Sequence, residues 1–356
     1  MFKTLKDFDF TNKKTLVRCD FNVPIDDKGN ILDDFRIKES LPTIKYLLSQ
    51  KAKIILMAHL GELNGKVVEI LKMDRVKEKL AELLKMPVAK ADDCVGETVK
   101  KQIENLKAGE ILLLENLRFH KEEIENDLDF ARELALLPAR RSLGEGGCDV
   151  YVNEAFSVCH RNNASVVGVA QFLPSFAGLL LEKEILNLNK VLQNPMHPMT
   201  AIVGGKKVET KAKFINGISK IADFVITSGL IEKEILDKNI ELKYPKKIIA
   251  PKENLIGADV DAKTEKIFEN IILKSKTIIW NGPVGKIEDK NYRQGTLGIA
   301  EAIIKSGAFS VVGGGETVEF LKMENLMGKF SHISTGGGAM LAYLAGESLP
   351  GIVALG

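Results

Sequence analysis

A single unit recurs along this chain and dictates its class of fold: a short apolar, β-branched run that ends in glycine or a polar residue, followed by a stretch with helical spacing. The runs lie at 15–20 (TLVRCD), 53–58 (KIILMA), 111–114 (ILLL), 150–152 (VYV), 200–203 (TAIV), 224–227 (FVIT), 277–280 (TIIW) and 309–312 (FSVV). Continuous apolar runs of this length suit strands buried on both faces, as in parallel sheets. Alternation with helical segments predicts an α/β chain of repeated βα units. In such sheets ligands gather at the carboxyl ends of the strands, so the residues after each run are where chemistry is expected.

The 356 residues correspond to about two domains at ~150 residues each. Leu181, Ile185, Leu188 and Leu192 share one helical face and are followed by 194–198 (NPMHP), a helix stop. This stretch predicts a helix bridging two lobes. Residues 138–147 (PARRSLGEGG) predict an exposed loop.

Lys+Arg 50 against Asp+Glu 48 leaves a formal net charge of +2. No broad basic field is available for nucleic acid or an anionic membrane. Anions must be bound by local clusters. No window approaches ~20 uninterrupted apolar residues, and the amino-terminal stretch lacks the apolar core of a signal peptide. Cys19, Cys94, Cys148 and Cys159 form no CxxC pair, which argues against a disulfide framework or a zinc site and for a reducing, cytoplasmic setting. His59, His120, His160, His197 and His332 are scattered without metal-ligand spacing. The patterns GxxxxGK[ST], GxGxxG, GxSxG and HExxH are all absent.

Four glycine-rich turns follow strand-like runs in the second half: 204–207 (GGKK), 281–285 (NGPVG), 313–317 (GGGET) and 334–338 (STGGG). Glycine lets backbone N–H groups approach a phosphate, and a following helix adds its positive end. One such turn is weak evidence, since turns before helices often need glycine; four in one half point to phosphate. The first half offers cationic side chains instead. Arg18, Asp20 and Asn22 lie in 18–24 (RCDFNVP), Arg36 in 33–37 (DDFRI) and His59 in 59–61 (HLG). Arg118 lies in 115–119 (ENLRF) and Arg161 in 160–165 (HRNNAS). Guanidinium forks match phosphate and carboxylate oxygens, although any one arginine alone is more often a solvated surface charge.

In combination and in this order, VRCDFNVP, DDFRI, ENLRFHKEE, VNEAFSVCHR, GGKKVETK, WNGPVG, GGGETV and STGGGAMLAYLAGESLPGIVAL make the chain resemble the phosphoglycerate kinases. The resemblance runs from Leu16 to the carboxyl end. It implies two Rossmann-like three-layer α/β/α lobes with parallel sheets joined by a hinge helix. Residues 1–178 would form a 3-phosphoglycerate-binding lobe on which a tail, 346–356, packs back. Residues 179–195 would be the interdomain helix, and 196–345 a nucleotide-binding lobe. The implied reaction is reversible phosphoryl transfer between 1,3-bisphosphoglycerate and ADP, giving 3-phosphoglycerate and ATP, with Mg2+, hinge-bending closure and a monomeric cytoplasmic enzyme of glycolysis.

By the same resemblance, Asp20, Asn22, Arg36, His59, Arg118 and Arg161 match substrate-site positions. Gly205, Lys207, Lys211, Asn281, Glu288, Gly313, Gly314, Gly315, Glu316 and Thr317 match the nucleotide site, with Glu316 in place of a magnesium-binding Asp. Arg36, Lys207 and the amides of 336–338, Gly337 among them, would neutralise the transferring group. No general base is required, because carboxylate and phosphate oxygens are ionised at pH 7.

Four departures are visible. Glu62 stands where the family carries an arginine. Either it turns away and Lys66 supplies the charge, or it repels the substrate phosphate. Asn163 replaces a usual histidine. The segment between Asp223 and Trp280 is short, which predicts a thinner adenine wall; residues 138–147 look like an insertion. These departures keep open an alternative, a catalytically weakened or inactive homologue acting as a phosphate-ligand or protein-binding module.

Overall fold

The structure, a computed structural model, describes residues 2–135, 147–205, 208–252 and 255–356. The 138–147 loop lies almost wholly outside the described residues, as does Lys207. All eight apolar runs are strands, and among the described residues four further short strands accompany them. In chain order they are β1 Lys14–Arg18, β2 Lys53–Met57, β3 Ala89–Lys90, β4 Ile111–Leu113, β5 Val150–Asn153 and β6 Ser175–Ala177. They continue as β7 Met199–Val203, β8 Phe224–Thr227, β9 Ile248–Ile249, β10 Thr277–Asn281, β11 Phe309–Gly313 and β12 His332–Ile333.

The strands form two six-stranded sheets, in the orders β3-β4-β2-β1-β5-β6 and β12-β11-β10-β7-β8-β9. Every pairing between them is parallel. Burial on both faces explains the composition: β7 and β10 have no exposed residue. The four strands outside the eight apolar runs, β3, β6, β9 and β12, are the four sheet edges and are two or three residues long. The second sheet has the strand order of a doubly wound dinucleotide fold. The first differs only in that β4 lies between β2 and β3. In both, the chain reverses direction beside its first strand, between β1 and β5 and between β7 and β10. Such a switch point opens a crevice at the strands' carboxyl ends.

The chain divides into two compact units, Met1–Lys183 with Leu349–Gly356, and Glu184–Ser348. The division falls inside the helix Leu179–Gln193 rather than at its ends. Leu181, Ile185 and Leu188 of its predicted face are buried, but Val191 completes the buried stripe while Leu192 is half-exposed. The tail contributes the helix Pro350–Val353 to the first unit. Gly351 donates its N–H to the Cys159 carbonyl at 2.9 Å, and its carbonyl accepts from Asn153 Nδ2 at 3.3 Å. A Cβ on Gly351 would lie 2.6 Å from Val166.

Each unit has its own core. Phe10, Val17, Phe21, Ile44, Leu56 and Val152 belong to the first, and Ile226, Phe268, Trp280, Ile299 and Phe320 to the second. The shortened stretch after β8 still completes regular elements. The helix Gly229–Asp237 starts on Ser228, whose hydroxyl accepts from Ile231 N, and the helix Ala262–Ile272 starts on Asp261, which accepts from Lys263 and Thr264. Among the described residues no helix is long and apolar enough to cross a membrane.

Candidate active site

In the first unit the predicted residues converge at the carboxyl ends of β1, β2, β4 and β5. Asp20 and Asn22 follow β1. Arg36 comes from the first turn of the helix Phe35–Ser49, and its Nη1 lies 3.2 Å from both Asp20 Oδ1 and the Asn22 carbonyl. Asn22 Oδ1 accepts from Gly61 N at 2.8 Å, and the Gly61 carbonyl accepts from Arg118 Nη1 at 2.7 Å. The loops after β1, β2 and β4 are therefore tied into one network. Among the described residues Asp20 Oδ2 is buried without a hydrogen-bond partner, an acceptor held ready beside Arg36.

Glu62 turns into this cluster. Its carboxylate lies 2.6 Å from Arg118 Nη1 and 3.6 Å from Arg161 Nη2. The account in which Glu62 turns away is thereby corrected: its carboxylate pairs with the buried Arg118, whereas Lys66 is exposed. Asn163 is buried and donates Nδ2 to the Glu123 carbonyl at 3.0 Å, so that amide hydrogen is committed to the scaffold.

His59 is buried, and its Nδ1 lies 3.0 Å from Arg18 Nη2. A guanidinium can only donate, so Nδ1 accepts and Nε2 carries the ring proton. Burial pushes the imidazole pKa well down, and Arg18, Arg118, Arg161 and Arg36 push it further in the same direction. His59 is a neutral hydrogen-bonding group at pH 7, not a cation.

The sequence reading missed the groups that hold these side chains. Arg18, which it noted but did not assign to the site, is almost fully buried and donates Nε to Ser165 Oγ at 2.8 Å. Glu123 binds Ser165 N and Oγ at 2.8 and 2.6 Å and lies 4.0 Å from Arg18. Burial raises the Glu123 pKa, and Arg18 opposes that. Asn116 accepts from Leu60 N and Arg118 N and donates to the Leu60 and Leu71 carbonyls, which fixes the Gly61 turn against Arg118. An Asn two residues before an Arg, just after a strand, was the available signal.

In the second unit the four glycine turns follow β7, β10, β11 and β12, four neighbours in the sheet. The turns touch backbone to backbone. A Cβ on Gly204 would lie 2.1 Å from the Pro283 carbonyl oxygen, and one on Gly282 would lie 2.1 Å from that of Gly204. A Cβ on Gly337 would lie 2.8 Å from Gly314 Cα. Gly314 has φ near 100°, a conformation side-chain-bearing residues rarely adopt. Among the described residues nothing lies within 4 Å of a Cβ on Gly315, the first residue of the helix Gly315–Met323. That helix and Gly337–Leu344 present free N–H groups at their starts.

Asn281 is buried, and its Nδ2 has no partner among the described residues; it lies 3.1 Å from where a Cβ of Gly314 would be. Thr317 Oγ1 accepts from Gly282 N at 2.8 Å and braces the cradle from below. Lys211 donates Nζ to the Gly204 carbonyl. Burial pushes its pKa down to about 8, with Glu316 and then Glu234 opposing. Beside the cradle lies a cleft of about 340 Å³ whose walls include Leu230, Ile256 and Val284, with Gly205, Glu288 and Glu316 at its polar side. The short segment after β8 thus still supplies wall residues. Glu184 was missed here. This buried helix residue binds His332 Nε2 at 2.7 Å and accepts from Thr335 N and Oγ1 at 2.7 and 2.9 Å, which orients the last glycine turn.

The profile of the phosphoglycerate kinase family matches residues 5–241 and 234–347. A phosphoglycerate kinase of Dictyoglomus turgidum is 41% identical over 397 aligned positions, covering 99% of this chain and 97% of the relative. One of Moorella thermoacetica is 38% identical, covering 99% and 98%. The solved phosphoglycerate kinase structures from Pyrococcus horikoshii and Coxiella burnetii superpose with TM-scores of 0.85 and 0.81 at 31% identity. They cover 100% of this chain, and 98% and 99% of their own. The relatives give no support to the alternative of a non-catalytic module. Two parallel doubly wound sheets, an arginine cluster on one, a glycine cradle on the other and these likenesses along its whole length agree: the chain belongs to the phosphoglycerate kinase family.

Proposed function

We propose that the chain catalyses reversible transfer of the acyl phosphoryl group of 1,3-bisphosphoglycerate to ADP, giving 3-phosphoglycerate and ATP. The observation that carries this reading is the Asn281 amide, unpartnered among the described residues, beside glycine turns on adjacent strand ends, a cradle built of donors. The nucleotide is assigned to it, with the base in the cleft lined by Leu230, Ile256 and Val284. Gly205, Lys211, Asn281, Glu288, Thr317 and the glycines of 313–315 are its binding residues, together with Lys207. The arginines of the first unit are assigned to the glycerate phosphate and carboxylate, with Asp20, Asn22 and neutral His59 completing the set.

An ionised oxygen of the ADP β-phosphate attacks the acyl phosphorus, and the carboxylate oxygen departs with the bonding electrons. Neither oxygen needs a proton removed, so no general base is assigned. What the residues supply is positioning and neutral balance on the transferring group, with Arg36, Lys207 and the Gly336–Gly338 amides as the donors; one such donor typically contributes ~3–4 kcal/mol. Glu316 faces the cleft as a hard carboxylate beside Gly205 and Lys211, a fit to a cation that prefers oxygen. Magnesium held there would neutralise phosphate charge on the nucleotide. A monomer in the cytoplasm is part of the same reading.

Glu62 occupies the arginines that this reading gives to the substrate anion, and must yield them when it binds. ATP-dependent phosphorylation of 3-phosphoglycerate, coupled to an acyl-phosphate-consuming dehydrogenase, tests the proposal. Turnover indistinguishable from background in a folded sample overturns it.

A further inference from the structure

Among the described residues, one group outside both anion sites brings three different metal-ligating side chains together. Asp93, Cys94 and His120 each offer a ligand atom, and these atoms lie within 4.8 Å of one another. The group is built on the edge of the first sheet. Asp93 and Cys94 follow β3, and His120 follows β4 through the short helix Leu117–Phe119. The two strands pair through Ala89 with Leu112 and Lys90 with Leu113. Two more backbone bonds extend the pairing: Ala91 N to the Leu113 carbonyl at 2.9 Å, and Glu115 N to the Asp93 carbonyl at 3.3 Å. The His120 ring packs on Phe130 with centroids 4.9 Å apart, and its Nε2 lies 2.6 Å from Asp93 Oδ1. Cys94 is buried, with its thiol 2.9 Å from the Glu115 carbonyl. The backbone therefore presets all three groups.

The charges around the thiol favour a cation. Cys94 is buried, and Asp93, Glu115 and Glu123 act on its thiol as negative charges with Lys90 opposing them; Lys90 itself pairs with Glu115 at 2.7 Å and Asp74 at 3.5 Å. We propose that Asp93, Cys94 and His120 form a binding site for a borderline-soft divalent cation of the zinc class. Thiolate, imidazole and carboxylate together are a zinc-type donor set. Magnesium, which prefers oxygen ligands, is disfavoured by the same set, so this site and the nucleotide's cation do not compete. On binding, the thiol proton leaves to solvent, and the imidazole turns its Nε2 lone pair to the metal with its proton on Nδ1. Asp93 is exposed, which leaves a further position open to water.

The test uses the full chain, freed of metal with a chelator and titrated with Co2+ as a coloured substitute for Zn2+. The expected result is one equivalent bound with a thiolate-to-cobalt charge-transfer band that Zn2+ abolishes. Cys94→Ser should lose the band. His120→Ala and Asp93→Ala change less buried side chains and serve if the serine variant does not fold. Each should weaken Co2+ binding by at least the ~10-fold seen for changes just outside a ligand shell. Absence of the band at large Co2+ excess, or a band of unchanged affinity in both His120→Ala and Asp93→Ala, overturns the proposal.

Discussion

In the unit formed by Met1–Lys183 and Leu349–Gly356, the candidate anion donors are side chains: Arg36, Arg118 and Arg161, held by Asp20, Asn22, Gly61 and Glu62. In the unit Glu184–Ser348 they are mostly backbone amides at glycine turns, helped by Asn281 and Lys211. Both sit at a topological switch point of a parallel sheet. The difference is one of tolerance. A guanidinium can be lost or masked while its loop survives, because the loop is tied by other groups such as Asn116. A glycine turn whose backbone touches the next turn has no such slack.

The largest effect should come from testing that slack. Gly282→Ala places a Cβ 2.1 Å from a backbone oxygen at a residue whose φ is 93°. We expect a loss of about 3 kcal/mol in denaturant unfolding and loss of nucleotide binding. Gly315→Ala, where nothing approaches, should stay within ~0.5 kcal/mol of the parent. Equal losses in the two would break the contrast.

Arg36→Ala should lower kcat/KM by ~10²–10³-fold with nucleotide affinity little changed, the signature of a donor confined to one unit. A parallel fall in nucleotide affinity would remove that separation.

Glu62→Gln sharpens the masking idea. It frees Arg118 and Arg161 from a charged competitor. A charge-assisted bond is worth ~1.5–3 kcal/mol, so KM for 3-phosphoglycerate should fall about tenfold. Lys66→Ala should leave it unchanged. An unaltered KM in Glu62→Gln counts against masking.

The backbone cradle carries one titrating helper. Lys211 has its pKa pushed down to about 8, and a bound phosphate favours its charged form. Nucleotide affinity should therefore be flat below pH 8 and weaken above it, by at most ~10-fold per unit. Calorimetry at pH 8 in buffers of different ionisation enthalpy should show proton uptake on binding; its absence removes Lys211 from the site. The smallest effect concerns the cleft wall. With Leu230, Ile256 and Val284 giving apolar contact, ATP and GTP should differ by only a few-fold in KM. Strong ATP preference would point to a polar base contact.

Composition and periodicity alone specified the α/β class and all eight inner strands, because a strand covered on both faces must be apolar throughout. They also located the four glycine turns and the arginines, since those residue types follow strand ends whatever the packing. Only the tertiary structure supplied the edge strands β3, β6, β9 and β12, too short to carry a pattern and held by their neighbours. It alone brought Glu184 to Thr335 of the last glycine turn, 151 residues away, and Glu123 to Ser165, 42 residues away. It decided that Glu62 faces the arginines. It also joined Asp93 and Cys94 to a histidine whose spacing in the chain carries no metal-site signal. Burial, charge pairing and the meeting of loops depend on which strand lies beside which, and that order is a property of the folded sheet rather than of any local stretch of residues.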